Sequence, residues 1–157
     1  MRLNWTGVLF AMLLPLGATA ASACPDFRKS GDTYTLSGQD MYNEKLFKVQ
    51  AGGKYDIRYC DIHLQSDKGR GFVTSRPDFT IQTSGMGNYS LVVSVVSECD
   101  SVVLVNTGAA NWYYDDDDNG NLDARITLSR PSNGWLDVWV GTQDGATCDA
   151  ILSLETF

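Results

Sequence analysis

Histidine is almost absent from this chain, with His63 the single one in 157 residues. One imidazole excludes any multi-histidine metal site. His63 also sits in His63-Leu64-Gln65-Ser66 with no recognisable catalytic partner motif, so a small hydrolase centred on it is the least favoured reading. No G-x-S-x-G, P-loop or H-E-x-x-H pattern occurs, and nothing singles out a pair of acids for glycoside hydrolysis. No enzymatic activity is therefore expected. Basic residues are scarce as well. Twelve Lys and Arg face nineteen Asp and Glu, and the net charge of −7 makes nucleic acid and anionic lipid surfaces poor partners. The one marked apolar run, Val8 to Leu16, falls short of the ~20 residues a membrane span requires, and no later run approaches it. No transmembrane segment is expected. Helical periodicity over ten or more residues is missing too.

What remains has the composition of a globular, strand-rich protein: 43% hydrophobic and 20% charged residues, fifteen Gly, and seven Tyr, six Phe and four Trp. Residues 1–23 read as an export signal, with Arg2, the apolar stretch and the small residues Ala18-Thr19-Ala20 and Ala21-Ser22-Ala23 in the expected order. A periplasmic or extracellular destination follows. Ala21-Ser22-Ala23-Cys24 also resembles a lipobox, but using Cys24 as a lipid anchor would leave an odd number of cysteines. Cys24, Cys60, Cys99 and Cys148 make two disulfides in an oxidising compartment. Three connectivities are open, and Cys24–Cys60 with Cys99–Cys148 is preferred because each pair then lies within one region of the chain. No C-x-x-C pair suggests zinc.

Strand patterns recur through the mature chain. Leu46–Gln50 and Lys54–Tyr59 flank Ala51-Gly52-Gly53, which reads as a hairpin. Phe79–Gln82 and Tyr89–Val96 flank Gly85-Met86-Gly87, and Ala124–Ser129 and Trp135–Gly141 flank a Pro/Ser/Asn/Gly turn. Ser101–Asn106, Asn111–Tyr114 and Ala150–Phe157 complete the set. Each of the three hairpins precedes a Cys-Asp pair, and an offset of 45 aligns Ile81 with Ile126 and Val93 with Val138. These are weak signs of recurring units. The expected fold is all-β, an antiparallel, jelly-roll-like, disulfide-stapled sandwich over residues 77–157 with an N-terminal β extension over 24–76. Charge divides along the same boundary. Residues 24–76 hold nine basic and seven acidic residues, whereas 77–157 hold two and twelve.

The acidic concentration peaks at Asp115-Asp116-Asp117-Asp118-Asn119-Gly120-Asn121-Leu122-Asp123. Oxygen-only side chains around a turn glycine suit a hard cation such as Ca²⁺. Asp115, Asp117, Asn119 and Gly120 match the first positions of an EF-hand loop, but position 12 is Ile126 and the flanks are strand-like, so an EF-hand is rejected. A solvated hairpin tip is the competing reading, since Asn-Gly favours turns. Adjacent carboxylates repel by roughly 1 kcal/mol per pair even in water, which favours calcium. In an extended run Asp115 and Asp117 share one face and Asp116 and Asp118 the other, so the four are not expected to be ligands together. The ligands are expected among Asp115, Asp116, Asp117, Asp118 and Asp123, with Asn119, Asn121 or backbone carbonyls completing the shell.

The strand Val102–Val105, the acidic turn, Asn121-Leu122-Asp123-Ala124-Arg125-Ile126, the turn Ser132-Asn133-Gly134 and the strand Leu136–Val140 follow in an order that resembles the bacterial pre-peptidase C-terminal domain family, over about residues 79–157. The resemblance implies a calcium-binding β-sandwich serving as a non-catalytic module of exported enzymes. A last feature is the alternation of Trp135, Asp137 and Trp139 with Leu136, Val138 and Val140. Either the two indoles and the carboxylate line an exposed sugar-binding face, or residues 24–76 cover them. Burial is the commoner fate of tryptophan. The sequence thus points to an exported, calcium-stabilised binding or accessory module whose partner is an exported protein or a glycan, with a carbohydrate-binding domain as the alternative.

Overall fold

The computed structural model describes residues 24–157, and the export signal read at 1–23 lies outside them. Among these described residues, eleven strands form two sheets. They are β1 (Asp32–Ser37), β2 (Lys45–Ala51), β3 (Tyr55–Asp56), β4 (Phe72–Val73), β5 (Phe79–Ser84), β6 (Ser90–Ser97), β7 (Ser101–Asn106), β8 (Trp112–Asp115), β9 (Arg125–Ser129), β10 (Gly134–Thr142) and β11 (Cys148–Thr156). The smaller sheet has the order β2-β11-β6-β9 and is antiparallel throughout. In the larger sheet β10 is flanked by β7 and β5, β8 extends the first side, and β1 extends the second. The short pair β4–β3 joins β10 at Thr142, beyond the end of β5. β1 runs parallel to β5, an exception to the antiparallel expectation. Strands from residues 24–76 enter both sheets.

The three expected hairpins are corrected by the sheet assignments. β2 and β3, β5 and β6, and β9 and β10 lie in opposite sheets, so each glycine-bearing turn carries the chain across the sandwich. The reason is packing. Met86, at the centre of one turn, is fully buried, and the Gly52 amide of another donates to the Val140 carbonyl at 3.1 Å. Gly53 has no room for a side chain, since a Cβ would lie 1.9 Å from the Val73 carbonyl carbon. The rows aligned at the offset of 45 likewise sit in opposite sheets and face one shared core. β7–β8 is a true hairpin.

Two cores result. Between the sheets lie Ile81, Leu91, Val93, Val95, Val103, Val105, Ile126, Leu136, Val138, Val140, Leu152 and Leu154 among others. On the outer face of the larger sheet, Ile57, Val73, Val102, Leu104, Tyr114 and Trp139 form a second core, with Ile62, Leu64 and Trp112 packed against it. β7 is therefore buried on both faces, which explains its unbroken Val102-Val103-Leu104-Val105 run. Disulfides join Cys24 to Cys60 and Cys99 to Cys148, the preferred pairing.

Asp78 sits against β10. Its amide donates to the Val138 carbonyl at 2.9 Å and its carboxylate accepts from the Val140 amide at 2.8 Å. Burial pushes its carboxyl from 3.8 up to about 6. Between those two values the folded chain holds a proton that the unfolded chain has released. Stability contributed by this group therefore falls as pH rises from about 4 to about 6, then levels off. Asp78→Asn, which keeps an acceptor for Val140, should raise stability at neutral pH by about 1–3 kcal/mol and flatten this pH window. Urea unfolding of both proteins at pH 4 and pH 7 measures the difference.

Candidate functional site

β8 delivers the acidic run. Its last residue, Asp115, pairs with Val103 of β7, and the chain then turns back toward β9. The turn is closed by backbone hydrogen bonds from the Asn119 amide to the Asp123 carbonyl and from the Asp123 amide to the Gly120 carbonyl. Asn121 and Leu122 both adopt positive φ, at 54° and 63°. This tight reversal points successive carboxylates in different directions.

Asp115 is buried, with 3% exposure, and its Oδ2 accepts from the amides of Asp118 at 3.1 Å and Arg125 at 2.7 Å. Burial raises its carboxyl above the ordinary range despite those two bonds. Asp118 and Asp67 come to the same place, and ligand oxygens of the three lie within 4.8 Å of one another. Asp67 was not among the residues the sequence singled out. It arrives because residues 62–66 run beside β8. Leu64 bridges Trp112, the Gln65 amide donates to the Trp112 carbonyl, and the Ser66 hydroxyl both donates to and accepts from the Tyr114 backbone. Alternation of half-buried Ile62 and Leu64 with exposed His63 and Gln65 is the signal that would have revealed this added edge. Tyr113, Tyr114 and Arg125 also line the hollow, and none of the ion pairs among the described residues involves this cluster.

Asp116 and Asp117 face elsewhere, toward Asp100, Asp144, Arg70 and Gln143. Gln143 donates to Asp116 at 2.5 Å, while burial and the charge of Asp117 raise the Asp116 carboxyl. Asp123 is buried and occupied by hydroxyls, accepting from Ser97 at 2.7 Å and Ser101 at 3.1 Å. Asn119 donates to the Val95 carbonyl at 2.7 Å, and Asn121 is exposed in the turn. The expected ligand set thus separates. Asp115 and Asp118 meet Asp67, Asp116 and Asp117 form a second acidic group, and Asp123 and Asn119 hold the turn to β6 and β7. The expected partition also changes, because Asp115 pairs with Asp118 rather than Asp117 once the chain bends.

The tryptophan pair divides as well. Trp139 is fully buried in the outer core, 5.3 Å from the Trp112 ring, and offers no face to a ligand. The covering residues come from 57–73, inside the segment expected to cover it. Trp135 stays 52% exposed beside Phe27, above buried Asp137, Asn106 and Thr80. Neither Asn106 nor Thr80 stood out in the sequence, since both sit within ordinary strand patterns. His63 is exposed.

No protein-family model matches the chain, and no curated protein sequence does. A crystal structure of PliG, a periplasmic lysozyme inhibitor of g-type lysozyme from Aeromonas hydrophila, is similar over 82% of this chain and 100% of its own, at 10% identity and a TM-score of 0.42.

If Asp123 is an anchor of the turn, its loss should be felt in the absence of any ion. Asp123→Ala leaves the buried Ser101 hydroxyl short of an acceptor, while Ser97 can still donate to the Cys99 carbonyl at 2.8 Å, and should cost about 1–3 kcal/mol. Urea unfolding in a chelating buffer checks this, and the same loss in calcium would confirm a purely structural part for Asp123.

Proposed function

We propose that this chain is an exported, non-catalytic binding module whose acidic end is stabilised by one Ca²⁺ held by Asp67, Asp115 and Asp118. The convergence of three carboxylates within 4.8 Å carries the reading. Ca²⁺ takes six to eight oxygens at ~2.3–2.6 Å, and three carboxylates, mono- or bidentate, supply three to six, with water completing the shell. The chemistry fits. Asp115 is fixed by two backbone amides and carries a charge that burial disfavours, so a cation beside it would offset that cost. Asp67 and Asp118 are exposed and able to close on an ion. The ion would tie the 62–67 edge to the β8–β9 turn.

Export is supported by the two disulfides, which persist in oxidising compartments, and by the signal read at residues 1–23. An accessory role of the kind performed by pre-peptidase C-terminal domains, toward an exported protein partner, is in keeping with a sandwich stabilised at one end by calcium.

Bound only in the folded state, the ion should stabilise by ~2.7 kcal/mol when free calcium is about 100 times the dissociation constant, a shift of several degrees in melting temperature. Magnesium, which demands tighter octahedral geometry, should do less. Asp67→Asn combined with Asp118→Asn should abolish the calcium shift, whereas Asp117→Asn should leave it intact. Thermal unfolding in millimolar calcium, in matched magnesium and in chelator measures all three. Coincident curves for the parent protein would overturn the calcium reading.

A further inference from the structure

Two buried side-chain donors among the described residues lack a hydrogen-bond partner, Trp139 Nε1 in the outer core and Asn106 Nδ2, and the second belongs to a residue that lines a cleft away from the acidic turn. Asn106, the last residue of β7, is 3% exposed, and its Nδ2 has no hydrogen-bond partner. A buried donor left unmade is costly, and native proteins leave few of them. Asn106 lines a cleft of about 490 Å³, within the range of ~300–1,000 Å³ typical of small-ligand sites. Directly opposite it in the β7–β10 register stands Asp137, also 3% exposed. Among the described residues, only the Thr80 hydroxyl donates to that carboxylate, at 2.6 Å. Asn106 and Asp137 thus stand side by side at the cleft floor, with the Asn106 Nδ2 just beneath its surface, so that turning the amide about its Cβ–Cγ bond brings this unused donor to the cleft beside an underused acceptor. The cleft rim carries two exposed aromatic residues, Trp135 at 52% and Phe27 at 47% exposure, the latter packed edge-to-face with Trp112 at 6.1 Å.

We propose that this cleft binds a neutral sugar ring, stacked on Trp135 and hydrogen-bonded by Asn106 and Asp137. A hydroxyl is the group that answers both floor residues at once, accepting from the Asn106 amide while donating to the Asp137 carboxylate. An ammonium offers only donors and would face the amide donor unfavourably. A carboxylate or phosphate offers only acceptors and would meet the charge of Asp137. Arg28 at the rim does not reverse that preference, because Asp26 holds its guanidinium through two bonds at 2.7 and 2.9 Å. The C–H face of a pyranose supplies the apolar surface that an exposed indole lacks in water. The site has one aromatic platform with Phe27 beside it, rather than the Trp135–Trp139 pair that strand alternation suggests.

Isothermal titration and tryptophan fluorescence with chitohexaose, cellohexaose and mannohexaose, each at millimolar concentration, test the assignment. Hexagalacturonate serves as the charged control. Saturable binding of at least one neutral hexasaccharide is expected, with hexagalacturonate bound more weakly. Trp135→Ala and Asn106→Ala should each weaken that binding by about tenfold or more, the equivalent of one lost stacking or hydrogen-bonding contact. The melting temperature of Asn106→Ala should be unchanged or higher, because the substitution removes an unpaired buried donor rather than a made bond. The cleft shares no residue with the acidic hollow, so binding should persist in chelator whatever calcium does at Asp67. Absence of saturable binding to all three neutral sugars would overturn the proposal. So would variants that bind like the parent, or hexagalacturonate bound as tightly as the neutral chains.

Discussion

Everything in this fold leans on β10, a strand that, like β7 beside it, is buried on both faces, from Leu136 to Thr142. Leu136, Val138 and Val140 point into the core between the sheets, and Trp139 points the other way into the outer core. A strand in that position has no solvent face to relax toward, so its outer side has to be covered by chain from elsewhere. Residues 57–73 provide the cover, and the Cys24–Cys60 disulfide tethers that segment to the stretch that precedes β1. Truncating a buried tryptophan typically costs about 3–5 kcal/mol, which is a large share of the net stability of a single domain. The covering segment is thus as much a part of the folded unit as the strands it protects.

Both candidate sites are consequences of where that cover ends. Toward the N-terminus of β10 the outer face opens, leaving Trp135 exposed and Asp137 and Asn106 buried at the base of a cleft. Alongside β8 the cover continues as residues 62–66, and it is this edge that carries Asp67 to Asp115 and Asp118. The like charges of the aspartate run are dispersed by a bend that sends Asp115 and Asp118 to one side and Asp116 and Asp117 to the other. Asp123 takes no part in either group, because two serine hydroxyls already occupy it.

Local patterns foretold much of this. The alternation in β10 sets Leu136, Val138 and Val140 on one face and the tryptophans on the other, and grouping the cysteines by region gives both disulfides. What the patterns could not carry is which strands become neighbours. A glycine-rich turn between two strand signals looks the same whether it closes a hairpin or crosses a sandwich, and only the burial of Met86 and the tight seat of Gly53 decide it. Trp139 and Trp135 are equivalent by alternation but differ completely in exposure, because cover is a tertiary property. Asp67 and Asn106 escaped notice for the same reason. Each acquires a role only when a distant segment is laid against it.

In the proposed calcium site, Asp67, drawn in by the 62–66 edge, completes the oxygen set with Asp115 and Asp118. Terbium is an oxygen-seeking ion that can stand in for calcium and emits when excited through a nearby phenol or indole. Tyr113 and Tyr114 line the hollow and Trp112 adjoins them, so a bound ion would have antennae close by. Titrating the protein with terbium under aromatic excitation should give saturable emission that calcium displaces competitively, and Asp67→Asn should abolish it. Emission that is absent, that calcium fails to displace, or that survives unchanged in Asp67→Asn would contradict the account.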